Sequence, residues 1–166
     1  MTLAVYAGSF DPPTVGHLWM IEQGVDLFGS LEVAVGVNPE KRSLFRPEER
    51  VELLRRSTAH LAGVRVGSFT NRFLISYAQS LGARFILRGV RNETDYAYER
   101  AMRNVNGDLA PAVTTVILMP PRAISEVSSS MVKSMMGPEG WQEIVRSYVP
   151  GPVFERLVEV FRARTA

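Results

Sequence analysis

The stretch Ala4-Val5-Tyr6-Ala7-Gly8-Ser9-Phe10-Asp11-Pro12-Pro13-Thr14-Val15-Gly16-His17 decides the fold of this 166-residue chain. Its apolar start predicts a strand that runs directly into a turn at Gly8 and Ser9. Apolar residues then recur at helical spacing, at Leu18, Ile21, Val25 and Phe28. The sequence therefore predicts a first strand, a sharp turn, and a helix whose opening turn carries His17.

This arrangement suits an anionic ligand. Gly8 has no side chain, so a ligand can come close to the backbone there. The start of a helix presents backbone N–H groups that have no partner within the helix and that attract anions. A histidine at that place, His17, can donate a hydrogen bond to a phosphate oxygen. These features predict phosphate chemistry on a nucleotide.

Composition sets the broad class of the protein. Hydrophobic residues make up 46% of the chain and charged residues 22%, which is ordinary for a globular protein. The length predicts one domain, residues 1–166. With 19 Lys and Arg against 17 Asp and Glu, the formal net charge is only +2. We therefore expect no nucleic-acid partner, since basic residues form no run or stripe.

The sequence lacks cysteine and any long apolar segment, which limits the possible chemistry and the expected cellular location of the protein. The chain has no cysteine, which excludes disulfides, thiolate catalysis and cysteine-bound metals. The first strand is predicted to begin at once, without a signal peptide, and no apolar run is long enough to span a bilayer. We expect a cytoplasmic protein without a membrane partner.

Apolar and amphipathic segments alternate along the rest of the chain. Further strands are predicted at residues 31–37, 64–66, 84–87 and 114–119. Helices are predicted at residues 47–61, 71–81, 94–109, 128–136 and 153–162. Regular alternation implies right-handed crossovers. The predicted fold is α/β, a Rossmann-like doubly wound five-stranded parallel sheet with helices on both faces.

Chemistry-bearing residues follow the predicted strands, where ligands bind in such sheets. They are Gly8 and Ser9 after the first strand, Lys41 after the second, Arg88 and Arg91 after the fourth, and Ser128, Ser129 and Ser130 beyond the fifth. Arginine offers a fork of donors suited to phosphate oxygens. Serine hydroxyls add further hydrogen-bonding groups, although serines before a helix most often serve as caps.

The turn-and-helix motif resembles the nucleotidyltransferase superfamily that carries a (His/Thr)-x-Gly-His signature, here Thr14-x-Gly16-His17. Over nearly the whole chain, the motifs resemble bacterial phosphopantetheine adenylyltransferases. The matching segments are Gly8-Ser9-Phe10-Asp11-Pro12, Asn38-Pro39-x-Lys41, Phe45 with Glu48-Glu49-Arg50, Arg88-Gly89-x-Arg91, Asp95-Tyr96-x-Tyr98-Glu99, Asn106 and Ser128-Ser129-Ser130-x-Val132-Lys133.

The resemblance implies transfer of AMP from ATP to 4'-phosphopantetheine in coenzyme A biosynthesis, with release of pyrophosphate. His17, Lys41 and Arg88 are implied as catalytic residues, with His17 bonded to α-phosphate oxygens. Ser9, Lys41, Leu74 and Arg88 are implied to bind the acceptor. The implied ATP contacts are Gly8, Ser9, Phe10, His17, Gly89, Val90, Arg91, Glu99, Ile124, Ser125, Glu126, Val127, Ser128, Ser129 and Ser130.

The resemblance also implies Mg²⁺ bound with the phosphates, no protein-held metal, and a homo-oligomer, a hexamer in the family. Feedback by coenzyme A is left open. Three departures from the family pattern concern substrate detail. Ile124 and Glu126 stand where aromatic residues are usual, the segment 71–74 differs as well, and Asn104 stands where His is common. We expect Glu126 to point away from the triphosphate, since like charges repel.

Two alternatives stay open at this point. One is another adenylyl- or cytidylyltransferase of the same superfamily that acts on a different phosphorylated acceptor. The other is a nucleotide-binding regulator without turnover, against which the presence of both His17 and Lys41 argues.

Overall fold

The computed structural model describes residues 1–40 and 42–165, with side chains as far as Ala163. Within these residues five strands alternate with seven helices. The strands are β1 (Thr2–Gly8), β2 (Gly29–Val37), β3 (Val64–Thr70), β4 (Phe85–Gly89) and β5 (Thr114–Leu118). The helices are α1 (Val15–Phe28), α2 (Pro47–Ser57), α3 (Leu74–Ser80), α4 (Glu93–Leu109), α5 (Ser129–Met135), α6 (Trp141–Val145) and α7 (Gly151–Thr165).

The strands form one parallel sheet in the order β3-β2-β1-β4-β5. Strand β1 is central, and Ala4 faces Leu31 of β2 on one side and Phe85 of β4 on the other. The predicted doubly wound five-stranded sheet is therefore confirmed.

The chain winds outward from β1 to β3, then crosses back to β4 and continues to β5. The winding direction thus reverses between β1 and β4. In open parallel sheets, the crevice beyond the carboxyl ends of the strands at such a reversal is where ligands bind. Gly8 and Gly89 end these two strands, so the crevice opens beside them.

Alternate residues of the strands bury against opposite faces of the sheet. Ala4 and Tyr6 of β1 pack with α1 and α2, in a cluster that includes Ile21 and Leu54. Val5 and Ala7 pack on the other face, in a cluster that includes Ile75 and Ala78 of α3. A third cluster joins Phe45 and Leu53 of the α2 region to helices α5, α6 and α7, through Val132, Trp141, Val145, Val153 and Leu157.

The structure differs from the sequence-based prediction at several boundaries and in one missed helix. Helix α2 ends at Ser57 and not near residue 61. Helix α3 begins at Leu74 and not near Asn71, because Asn71 takes a left-handed conformation with φ of 52°. Strand β3 runs on to Thr70, since parallel pairing with β2 continues through small and polar residues such as Gly67 and Ser68. Helix α6 was missed because five residues are too few for a helical period to show.

Two glycines with positive φ allow a matched test of close backbone approach. Gly63 has φ of 84°, and a β-carbon there would lie 2.6 Å from the carbonyl oxygen of Gly29, while Gly82 has φ of 69° and open space around it. Gly82→Ala should cost about 1–2 kcal/mol, the strain of a left-handed alanine. Gly63→Ala should cost roughly 1–3 kcal/mol more, because backbone must also move. Urea unfolding of both variants measures the difference, and equal losses would contradict it.

Candidate active site

The main cavity lies at the carboxyl ends of β1 and β4 and has a volume of about 550 Å³. The cavity lies where the reversal of winding between β1 and β4 predicts a ligand-binding crevice. Its walls come from β1, α1, β4, α4 and the segment before α5. The lining residues are Tyr6, Ala7, Gly8, Thr14, Gly16, His17, Met20, Arg88, Gly89, Arg91, Thr94, Asp95, Tyr98, Glu99, Pro120, Ile124, Val127, Ser128, Ser129 and Ser130.

His17 takes part in a reciprocal cap at the start of α1. The N-cap residue Thr14 accepts a hydrogen bond from the His17 backbone N–H, over 3.4 Å. The Thr14 backbone N–H donates in return to Nδ1 of the His17 ring, over 3.0 Å. Histidine here occupies the position that Glu or Gln takes in an ordinary capping box. The ring also packs edge-on against Phe10, with centroids 5.0 Å apart.

The His17 ring is held neutral. Burial, with a smaller contribution from the positive charge of Arg91, lowers the pKa of His17 from 6.5 to about 4. Because Nδ1 accepts the Thr14 N–H bond, the neutral ring must carry its proton on Nε2. His17 therefore presents an uncharged N–H donor to a ligand at neutral pH.

Arg88 lies at the end of β4 and is anchored from two sides. Its Nε donates to Glu99 over 2.9 Å, one terminal nitrogen donates to the second Glu99 oxygen, and the other donates to the carbonyl of Ala7 over 2.9 Å. Hydrogen bonding to Glu99 raises the pKa of Arg88 despite its burial. Three of the five N–H donors are engaged in these bonds, which leaves two for a ligand.

Arg91 and the serines form a further part of the wall of the main cavity. Arg91 Nε donates to Asp95 over 2.9 Å. Ser128 is the N-cap of α5 and accepts from the Met131 N–H, while the Ser129 hydroxyl donates to the carbonyl of Pro12 over 2.8 Å. The capping role of Ser128 and the ties to Pro12 and Asp95 orient this wall.

An apolar cavity of about 300 Å³ adjoins the main one. The two share Ala7, Gly8, Arg88, Tyr98 and Glu99. The remaining lining residues of the apolar cavity are Ser9, Gly36, Phe69, Phe73, Leu74, Ile75, Met102, Val105, Asn106 and Leu109. Leu74 and Ser9 thus line this second cavity, which Ser128, Ser129 and Ser130 of the main cavity do not line.

A third, polar cavity of about 290 Å³ is lined by Ser9, Asp11, Gly36, Asn38, Ser43, Arg50, Ser129, Ser130 and Lys133. Asp11 accepts hydrogen bonds from Leu44 N–H and Phe45 N–H, each over 2.9 Å, and from Lys133 Nζ over 3.2 Å. Arg50 donates to the Ser9 carbonyl over 2.8 Å.

The structure brings most of the predicted site residues to these cavities, but not all side chains face them. Phe10 is fully buried, and Val90 is buried with its N–H bonded to the Leu118 carbonyl. Glu126 is exposed and does not line the main cavity, and Ser125 donates to the Arg122 carbonyl. Lys41 lies outside the described residues.

The sequence did not reveal three features of the site. The partnership of Glu99 with Arg88 was missed, although Glu99 was named as an ATP contact. The tie from Arg50 to Ser9 spans 41 positions, and that from Asp11 to Lys133 spans 122. Only the matching of Asp11, Arg50, Glu99 and Lys133 to the family motifs gave a signal, and it did not show which of them contact each other.

The carboxylates at the main cavity are both paired with arginine, Glu99 with Arg88 and Asp95 with Arg91. Among the residues that the structure describes, no group of three or more His, Cys, Asp or Glu side chains could hold a metal ion. In the same part of the chain, no helix is long and apolar enough to cross a membrane.

Comparison with known proteins places this site in a family. Residues 5–135 match the model of the cytidylyltransferase-like family. A phosphopantetheine adenylyltransferase of Chromobacterium violaceum is 53% identical over 161 residues, covering 97% of this chain and 98% of the relative. Another from Neisseria meningitidis serogroup C is 55% identical over 155 residues, covering 93% of this chain and 91% of the relative. The chain belongs to the phosphopantetheine adenylyltransferases. It is therefore a nucleotidyltransferase, and the resemblance seen in the sequence is confirmed.

Solved structures agree on the fold. A protein of Vibrio parahaemolyticus assigned as a nicotinate-nucleotide adenylyltransferase superposes with a TM-score of 0.69 at 17% identity, covering 98% of this chain and 96% of that one. The nicotinic acid mononucleotide adenylyltransferase of Plasmodium falciparum, complexed with NaAD, gives 0.63 at 12% identity and covers 95% of each chain. At such identities the likeness shows the Rossmann-like fold alone.

The lowered pKa of His17 predicts a pH effect on stability. Between about pH 6.5 and pH 4 the unfolded chain binds a proton at His17 and the folded chain does not, so stability falls as the pH falls through this window. His17→Gln removes this titration, and its side-chain oxygen can still accept the Thr14 N–H bond.

The test is urea unfolding of both proteins near pH 7 and near pH 4.5. The free energy of unfolding of the unmodified protein should drop more than that of His17→Gln. His60 is present in both proteins, so any contribution that it makes to the pH dependence cancels in the comparison. Equal drops would show that His17 is not held neutral.

Proposed function

We propose that the chain transfers AMP from ATP to 4'-phosphopantetheine, giving dephospho-coenzyme A and pyrophosphate. One observation carries the proposal: the uncharged, fixed Nε2–H donor of His17 stands where β1, β4 and the serine segment meet. A donor in this place can bond an α-phosphate oxygen without being drawn away by a carboxylate. In-line attack on phosphorus needs positioning and charge stabilisation more than covalent help from the protein.

The acceptor would lie across Arg88 into the apolar cavity. Arg88 has two donors left for the acceptor phosphate, and Ser9 lies beside it. Leu74 and its apolar neighbours offer a surface of the kind that the pantetheine arm requires, since that arm is long and partly apolar. Lys41 would add a second positive charge at the acceptor phosphate, as the family resemblance implies.

ATP would occupy the main cavity. Arg91 and the hydroxyls of Ser128, Ser129 and Ser130 would hold the triphosphate and then the departing pyrophosphate. Gly8 and Gly89 would let the nucleotide come close to the backbone. Ile124 and Val127 supply apolar contact for the base. Phe10 and Val90 would act through backbone groups, and Glu99 through Arg88.

Mg²⁺ would enter with the triphosphate. The residues fit an ion carried by phosphate oxygens, because Asp95 and Glu99 are already paired with arginines. Such an ion neutralises charge on the phosphates. We also propose a homo-oligomer in the cytoplasm, with the hexamer of the family as the state to test by light scattering.

Pyrophosphate release from ATP with a panel of acceptors tests the function. We expect turnover with 4'-phosphopantetheine and little with nicotinate mononucleotide or glycerol 3-phosphate. Preference for either of the latter would favour another nucleotidyltransferase of the superfamily. Binding of ATP without turnover on any acceptor would favour a regulator.

His17→Ala should lower kcat by about a hundredfold or more, with a smaller effect on KM, because the lost hydrogen bond strengthens as charge develops in the transition state. Steady-state kinetics and the melting temperature measure this. The matched control is His60→Ala, which removes the exposed second histidine and should leave kcat unchanged. A near-normal kcat in His17→Ala would remove His17 from the mechanism.

Lys41→Ala and Arg88→Ala should weaken acceptor binding more than ATP binding, whereas Arg91→Ala should weaken ATP binding more. Each loses charge-assisted bonds to one phosphate group. Calorimetry with each substrate gives the order, and Arg100→Ala, an exposed arginine of α4 outside the cavities, serves as control. The reverse order would mean that acceptor and nucleotide occupy each other's proposed places.

A further inference from the structure

The turn between β1 and α1 is held from three other parts of the chain. Arg50 of α2 donates to the Ser9 carbonyl, and Ser129 of α5 donates to the Pro12 carbonyl, each over 2.8 Å. Asp11, between them, receives three donors on its carboxylate. Phe10 of this turn has φ of 48°, a left-handed conformation that costs energy in a non-glycine residue. Contacts from outside the turn therefore maintain its shape.

Asp11 connects two walls of the polar cavity. One oxygen accepts from Phe45 N–H, and the other accepts from both Leu44 N–H and Lys133 Nζ. Leu44 and Phe45 end the segment after β2 that includes Asn38 and Ser43 of the cavity wall, while Lys133 belongs to α5 with the serines. Asp11 is only 4% exposed and Phe45 is 1% exposed, so both residues are buried among their neighbours.

The positive charges of Lys133 and Arg50 favour a fixed position of the Asp11 carboxylate. Arg50 is 3% exposed, and its Nε has no hydrogen-bond partner among the described residues. Burial lowers the pKa of Arg50, and the Asp11 carboxylate opposes that shift. Asp11 thus faces Lys133 by direct contact and Arg50 through space, with two backbone N–H donors fixing its direction.

We infer that Asp11 is a positioning residue, which sets the spacing between the segment after β2 and the Ser9 turn and so places the acceptor-side groups relative to His17. The inference rests on the proposed function. Asp11 touches neither substrate in this scheme. Its effect reaches the reaction through the backbone of Ser9 on one side and of Leu44 and Phe45 on the other. Lys41, which the family resemblance implies at the acceptor phosphate, precedes Leu44 by three positions in the sequence.

Asp11→Asn tests the anchor at nearly constant volume. An amide presents one oxygen and one NH₂ group where the carboxylate presents two oxygens, so one backbone N–H must face another donor. The acceptor kcat/KM should fall about ten- to a hundredfold, as expected when reacting groups are misplaced by a fraction of an ångström to an ångström. The Kd for ATP, measured by calorimetry, should stay close to that of the unmodified protein.

Asp11→Glu separates position from charge. Glutamate keeps the negative charge and can reach Lys133, but its extra methylene prevents the same contact with both backbone N–H groups. A positioning role predicts that this variant also loses acceptor kcat/KM. Full recovery would overturn the inference. If Asp11→Asn does not fold, the result with Asp11→Glu decides alone.

Two control variants test whether a loss of acceptor kcat/KM comes from the lost ion pair with Lys133 or from general destabilisation of the protein. Lys133→Gln removes the ion pair but leaves both backbone bonds, so the acceptor kcat/KM should fall much less than in Asp11→Asn. A similar change, with no added effect of Asp11→Asn in the Lys133→Gln background, would reduce Asp11 to a counter-charge. Arg156→Gln breaks the ion pair with Glu49 that joins α2 to α7, and neither residue lines one of the three cavities.

Arg156→Gln should lower the melting temperature without changing acceptor kinetics. The same loss of acceptor kcat/KM in Arg156→Gln, or an equal loss of ATP affinity in Asp11→Asn, would overturn the positioning role. These results are distinct from failure of the proposed function, which would appear as no turnover of 4'-phosphopantetheine by the unmodified protein. The same variants would then be measured with the acceptor of the panel that the unmodified protein does turn over.

Discussion

Parallel pairing of β1 with β2 on one side and β4 on the other is the constraint on which the rest of the structure depends. It brings the ends of these strands together at one edge of the sheet, although Gly8 and Gly89 lie far apart in the sequence. Because the winding reverses there, no crossover helix covers the gap. The main cavity is thus a consequence of strand order, and its polar groups are added by the loops that follow the strands.

The two arginines at this edge of the sheet are each paired with a carboxylate, which fixes the direction of the guanidinium group. Arg88 is fixed by Glu99 and by the Ala7 carbonyl, and Arg91 is fixed by Asp95. An arginine held in this way loses little conformational freedom when a phosphate arrives. The carboxylates therefore orient the binding groups and are not themselves ligands for the nucleotide in the proposed scheme.

The sheet and the location of the site were predictable because both follow from local patterns. Most strands contain an apolar run that ends at a turn, Arg88 and Arg91 come directly after such a run, and the serines follow in the loop beyond β5. The contacts that orient these groups were not predictable. Asp11 meets residues 33, 34 and 122 positions away, and such distances are fixed only by the packing of several helices. The short helix α6 was missed for a different reason, since five residues give no period.

Because His17 is neutral, the attraction of ATP to the site and the hydrogen bond to the α-phosphate fall to different residues. A charged residue at position 17 would contribute to both. An uncharged N–H group exerts almost no attraction on ATP at a distance, whereas the field of the arginines extends over about a Debye length, roughly 8–10 Å in physiological salt. In the proposed scheme, capture of the nucleotide therefore belongs to Arg88 and Arg91, and His17 acts only once the α-phosphate is in contact. Added salt would then slow the encounter and leave the chemical step largely unaffected.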